Sequence, residues 1–367
     1  MRINVNSPVA AEASPLFDHV YATLLAGAIG DAMGGAVEGM DYREIAARWG
    51  RVETFLPFQR DPSYHGAFSM APGTYTDDTR LRMLLCRAII ETGDLPTRGE
   101  LARTIVNAYH NASHDLERGF LEEYALKAIH GGEKLIFGGE PTNGAIMMNA
   151  PIGLVCAGDP RETFQAAYEL AFLTEGYAKY SAAVMAAAYA AALRRGATAG
   201  SVIDTALETL ATQRDRVEGP HWRAWPRRYM PNERALETAV AAARRHRNVF
   251  TLPDELYDVL QRGPLFSEAS QTLAVALAMF AAAEGDVRLT ILGCVNYGRD
   301  NDSYATVGGG LAGALGGFGA IPSEWIPPII AANPSPDLKE VALGVSGVIL
   351  NRHARRREAV KTVEALL

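Results

Sequence analysis

Two short stretches concentrate the groups that could do metal chemistry. Thr76-Asp77-Asp78-Thr79 places two adjacent carboxylates between two hydroxyls. Far down the chain, Asp300-Asn301-Asp302-Ser303 again combines carboxylates with a hydroxyl. Every candidate ligand is an oxygen, and neither cluster contains a histidine. Oxygen-only sets favour Mg²⁺, Mn²⁺ or Ca²⁺ over zinc or copper. If the clusters share one site, two divalent ions balance its charge better than one. Two such ions can bind substrate oxygens and orient or acidify a water. The Asp300-x-Asp302 spacing begins like a calcium loop, but the glycine and distal glutamate of an EF-hand are missing.

Each cluster stands directly before a helix-like run. After Thr79, residues Leu81, Leu84, Leu85 and Ala88 fall on one helical face. The simpler role for such residues is an N-cap, in which Asp or Thr accepts from orphan backbone N–H groups. One helix start needs one cap, and the first cluster offers several candidates. The pattern therefore favours a shared hard-cation site over two separate caps.

Other elements must position these groups. A helix is expected over about Leu16–Met33, with Ala26, Gly30 and Gly34 recurring every four residues. Asp31 sits inside that small-residue stripe, and a buried Asp needs a partner. It is either a structural hydrogen-bonder or a member of the polar site. Glu38 follows in a Gly-flanked loop. Asn143-Gly144 reads, taken alone, as a plain turn, and beside the two clusters as a loop delivered into a helix start, where N–H groups can face an anion. After Ser303 comes a Gly-rich run in which Ala305, Gly309 and Gly313 share a face. Glycine costs about 1 kcal/mol relative to Ala inside a helix, so close packing must compensate.

Further helices are expected at about 79–92, 98–113, 116–130, 162–174, 180–195, 199–212, 232–247 (capped by Asn232) and 268–283, and as Pro-interrupted pieces over 324–367. Residues 51–73 read as loop, and 253–264 as a connection. No alternating stretch is long enough for a sheet. The expectation is one all-α domain over 1–367, with a variable segment at about 213–265 in which Trp222 and Trp225, beside Arg227 and Arg228, serve as packing anchors or else stack on a base or contact phosphate.

The 367 residues are 48% hydrophobic with a net charge of -7, which argues against a general nucleic-acid binder. Cys86, Cys156 and Cys294 lie far apart and read as buried reduced thiols of a cytoplasmic protein. The first fifteen residues lack the layout of a secretory signal, and no uninterrupted membrane span is expected. There is no G-x-S-x-G, no Cys–His arrangement and no dinucleotide G-x-G-x-x-G.

Four motifs in order resemble the ADP-ribosylglycohydrolase family. They are Gly27-Ala-Ile-Gly30-Asp31-Ala-Met-Gly34-Gly-Ala-Val-Glu38, Thr76 to Thr79, Asn143-Gly144-Ala-Ile-Met147 with Ala150-Pro151-Ile-Gly153, and Asn296 to Ser303 with its Gly-rich helix. The resemblance implies an orthogonal multi-helix bundle with a binuclear Mg²⁺ or Mn²⁺ centre. It implies Thr76, Asp77, Asp78, Asp300 and Asp302 as metal ligands, with Ser303 supplying a hydroxyl where the family usually has Thr. The implied reaction is hydrolysis of an N- or O-glycosidic bond at ribose, with catalytic roles for Glu38, Asp77 and Asp302. Asn143, Gly144 and Gly309 are the expected substrate-binding positions. The substrate is an ADP-ribosylated protein or a small ribosyl compound, with neither nucleic acid nor membrane as partner. A two-metal phosphohydrolase and a non-catalytic ADP-ribose-binding protein are the alternatives. The chain departs from the family at Met148, where Arg is usual, and at Asn301, often Thr.

Overall fold

Ser14 and Pro15 open the first helix, α1 (Pro15–Gly34): the Ser14 hydroxyl accepts from the Phe17 N–H at 3.2 Å. The computed structural model describes residues 14–60, 68–112, 115–131, 141–174, 176–217, 234–260 and 266–367. A 3₁₀ turn, Gly35–Val37, carries the chain past Glu38 into α2 (Tyr42–Trp49). Two three-residue strands, β1 (Phe58–Arg60) and β2 (Phe68–Met70), then pair antiparallel with Phe58 opposite Met70. This ribbon stands where a loop was expected, because three residues are too few for alternation to register.

The chain continues through α3 (Asp77–Thr92), α4 (Arg98–His110), α5 (Asp115–Gly131), α6 (Gly144–Met148), α7 (Ala150–Val155), α8 (Pro160–Leu170) and α9 (Tyr177–Ala192). It then forms α10 (Ala199–Val217), α11 (Ala235–His246), α12 (Leu252–Leu260), α13 (Ala269–Ala282) and α14 (Val287–Val295). The last helices are α15 (Asn301–Gly316), α16 (Ile326–Ala332) and α17 (Leu338–Glu364). The fold is all-α, as expected. Helix α12 takes up 253–260 of the connection expected over 253–264, and 261–264 lie outside the described residues. Pro253 lies in its first turn, where a missing N–H costs nothing, so this proline starts a helix instead of breaking one. The N-terminal stretch 1–13, Trp222, Trp225 and Asn232 lie outside the described residues.

Helix α1 runs through the core and packs most extensively on α15. The two small-residue stripes meet there. A Cβ at Gly30 would stand 2.2 Å from the Ala305 carbonyl oxygen, and one at Gly313 would stand 2.4 Å from that of Ala22. The glycines thus let backbone touch backbone, which compensates their low helix propensity. The stretch Pro15–Val37 is long and apolar enough to cross a membrane by length and composition, with mean hydropathy 1.4, against the expectation of no such span. Burial inside the protein, 94% of that window, accounts for its composition. All three cysteines are free and buried.

Candidate metal and substrate site

The α1–α15 crossing brings the end of α1 against the start of α15. A Cβ at Gly34 would stand 2.5 Å from Asp302 Cα, so only glycine lets these segments approach this far. Beyond Gly34, the loop carrying Glu38 is stitched to the loop before α15. The Gly39 N–H donates to the Arg299 carbonyl and the Arg299 N–H to the Met40 carbonyl, both at 2.7 Å. Arg299 adopts φ 63°, a left-handed conformation uncommon for a side-chain-bearing residue. It turns the chain into Asp300. As a result, carboxylate oxygens of Glu38, Asp300 and Asp302 lie within 4.8 Å of one another.

The first cluster arrives from the opposite wall. Thr76 precedes α3, but its side chain does not cap that helix. Asp31 does so from α1. Its Oδ1 accepts from the Thr76 N–H at 2.9 Å and the Thr76 hydroxyl at 2.7 Å, and its Oδ2 accepts from the Thr79 N–H at 2.9 Å. Asp31 is therefore the structural hydrogen-bonder of the two roles open to it. By capping α3 from another helix it releases Asp77 and Asp78 from that duty. Helix α15 likewise starts at Asp300 with no side-chain cap bond.

One oxygen of each aspartate is held by a protein donor. The Tyr124 phenol donates to Asp77 Oδ2 at 2.6 Å. The Ser303 hydroxyl donates to Asp78 Oδ2 at 3.3 Å, and the Ser303 N–H to Asp302 Oδ1 at 2.9 Å. The Asn143 amide donates to Asp300 Oδ2 at 2.6 Å and to the Thr272 hydroxyl at 3.2 Å. Asn143 is fixed in turn by its own N–H, which donates to the Ser267 carbonyl at 2.9 Å. The buried Asp78 Oδ1 has no hydrogen-bond partner among the described residues.

Crowded, buried carboxylates resist ionising. Burial, then Glu38, pushes Asp300 up to about 8. Asp302 is raised well above the ordinary carboxylate range, first by burial and then by Glu38 and Asp78. Asp78 is raised by burial, then by Asp31 and Asp77. Burial, followed by Asp77, also raises the Tyr124 phenol, so it stays a donor. A buried carboxylate oxygen without a partner among the described residues, on an aspartate crowded by Asp31, Asp77 and Asp300, fits a hard cation, which would supply the missing positive charge.

A cavity of about 140 Å³ opens on this cluster. It is lined by Glu38, Asp77, Asp78, Asn143, Gly144, Asp300, Asp302 and Ser303, all named from the sequence, together with Phe120, Tyr124 and Phe266. Two expected residues are placed differently. The Thr76 hydroxyl is turned to Asp31, and Thr76 does not line the cavity. Gly309 does not line the cavity either: it lies in the α1–α15 packing, where a Cβ would stand 2.9 Å from the Ala26 carbonyl oxygen. Tyr124, Phe120 and Phe266 were missed. Phe120 and Tyr124 lie four apart in α5, a spacing that also suits plain core packing.

The pattern of the ADP-ribosylglycohydrolase family matches residues 12–354 of this chain. An uncharacterized protein of Archaeoglobus fulgidus is 28% identical over 320 residues, covering 82% of this chain and 87% of that one. The uncharacterized protein YegU of Escherichia coli is 24% identical over 358 residues, 94% of this chain and 99% of its own. A solved structure titled ADP-ribosylglycohydrolase-related protein complex superposes with a TM-score of 0.59 at 23% identity, over 91% of this chain and 99% of that one. That likeness establishes the fold.

Proposed function

The chain belongs to the ADP-ribosylglycohydrolase family, and on that premise we propose that it is a metal-dependent hydrolase. It cleaves an N- or O-glycosidic bond at the ribose of an ADP-ribosyl group or a small ribosyl compound. The observation that carries this reading is that Asp78, whose buried Oδ1 has no partner among the described residues, lines one cavity with Glu38, Asp77, Asp300 and Asp302. Asp77, Asp78, Asp300, Asp302 and Ser303 would hold two Mg²⁺ or Mn²⁺ ions, with Thr76 behind them. When bound, such ions position ribose hydroxyls and lower the pKa of a water.

The chain's own residues supply the rest. Tyr124, Asn143 and Ser303 each occupy one carboxylate oxygen and so fix how the aspartates face the cavity. Glu38 is half-buried at the cavity wall, on a loop tied to the α15 start, and takes the proton from the attacking water. Glycosidic cleavage builds positive charge on the sugar ring. Gly144 lines the cavity at the start of α6, where a Cβ would stand 3.0 Å from the Tyr124 ring, so glycine lets that ring pack against the loop.

The purified protein should be assayed with Mg²⁺ and with Mn²⁺ against ADP-ribosyl-arginine, ADP-ribosyl-serine and small nucleosides. Release of a free ribosyl product that chelator abolishes is the expected result. Cleavage of the pyrophosphate to AMP and a phosphoribosyl compound instead would assign the site to phosphohydrolysis. Binding of ADP-ribose without turnover of any substrate would make it a binding protein.

A further inference from the structure

We infer that Arg82 is the positioning residue that holds the two carboxylate-bearing helices and the Asn143 loop in register for cation binding. The inference rests on the metal reading of the site. Arg82 lies in α3, is 0% exposed, and has no ion-pair partner among the described residues. Its guanidinium instead grips backbone. Nε and Nη2 donate to the Met147 carbonyl at 3.2 and 2.9 Å, and Nη2 also donates to the Thr306 carbonyl at 3.3 Å.

Each end of this clamp is one helical turn behind a site residue. Arg82 follows Asp78 by four positions in α3, and Thr306 follows Asp302 by four in α15. Met147 follows Asn143 by four, and the Met147 N–H donates to the Asn143 carbonyl at 3.1 Å. Residues four apart in a helix lie on one face, so fixing the second fixes the first. One side chain therefore ties Asp78, Asp302 and Asn143 together from behind, and Asn143 in turn holds Asp300.

The room for Arg82 is provided by glycines. A Cβ at Gly27 would stand 1.9 Å from Nη1, and one at Gly310 would stand 3.2 Å from it. Burying a guanidinium without a carboxylate is unfavourable, and a Met would fill similar space without that penalty. What a Met or Lys cannot supply is the planar fork that binds two carbonyls at once.

The test uses the full chain with Arg82→Lys and Arg82→Met. Calorimetry with Mn²⁺ alone gives affinity, and hydrogen exchange is followed in the metal-free proteins. We expect Mn²⁺ affinity to fall about 10–100-fold in the Met variant, the range for lost supports of metal ligands, with Lys restoring part of it. Exchange should accelerate over 141–148 and 296–306 and stay unchanged in α10. Wild-type affinity with unchanged exchange would make Arg82 a core filler and overturn the inference. Tighter Mn²⁺ binding in the Met variant would show a repulsive charge instead of a clamp. Should Arg82→Met fail to fold, Arg82→Lys decides: it keeps the charge and loses the fork, so wild-type values there overturn the inference. If wild type binds no Mn²⁺, the metal reading of the site fails, and exchange in the metal-free proteins alone settles whether Arg82 clamps.

Discussion

The two carboxylate clusters both stand at helix starts, yet they are held by different means. At α3 the work is done by side chains: Asp31 caps the helix from α1, and the Tyr124 phenol pins Asp77. At α15 much of it is done by backbone. Gly298 and Arg299 both take positive φ, the Arg299 peptide pairs with Gly39 and Met40, and Asp302 rests against Gly34. A cluster held by side chains can be detuned while the fold stands. A cluster held by backbone contact should lose stability whenever its geometry is disturbed.

The largest effect is expected at Glu38, whose loop joins the second cluster to the cavity. Glu38→Gln should cut kcat at saturating metal by about 10²–10⁴-fold, the usual worth of a positioned base, while metal still raises the melting temperature. Near-wild-type turnover would remove Glu38 from the mechanism. Next is the side-chain-held wall. Tyr124→Phe should weaken Mn²⁺ affinity by about 10–100-fold and leave the metal-free melting temperature close to wild type. An equal loss of metal-free stability would show that Tyr124 holds the fold, and the contrast between the walls would fail.

Gly34→Ala probes the backbone-held wall. Forcing a methyl to 2.5 Å from Asp302 Cα should cost about 1–3 kcal/mol in denaturant melts, with or without metal. A variant as stable as wild type would mean the α1–α15 approach is not tight. The metal-free site should also show a slope with pH. Asp300 has its folded pKa raised from 3.8 to about 8 by burial and by Glu38, so the folded chain retains a proton that the unfolded chain releases. Its contribution is present at acid pH and is lost as pH rises through about 8. In chelator, the melting temperature should fall from weakly acid to alkaline pH. Saturating Mg²⁺ or Asp300→Asn should flatten that fall, and a melting temperature that rises with pH would contradict it.

What could be read from the sequence was what local pattern encodes. The carboxylate pairs announce themselves by adjacency and by the helical runs behind them. The Gly30 and Gly313 stripes announce close packing by their four-residue spacing, although nothing in the spacing said that each was the other's partner. Asp31 shows the limit. A cap supplied from another helix has no local signature, so its role stayed open until Thr76 and Thr79 were placed beside it. Tyr124 looks like any aromatic on a buried helix face, and Pro253 reads as a breaker unless its place in the first turn is known. Gly309 shows the converse: its four-residue spacing marks helix packing, and nearness to the cluster along the chain does not bring it to the cavity wall.

The central claim is that both clusters form one cation site. The direct measurement is the rise in melting temperature on adding Mn²⁺ to wild type, Asp78→Ala, Asp302→Ala and the double variant. A shared site predicts that either single variant removes most of the rise and that the double variant removes little more. Two separate sites would instead leave each single variant with about half of the rise, the double variant losing the sum.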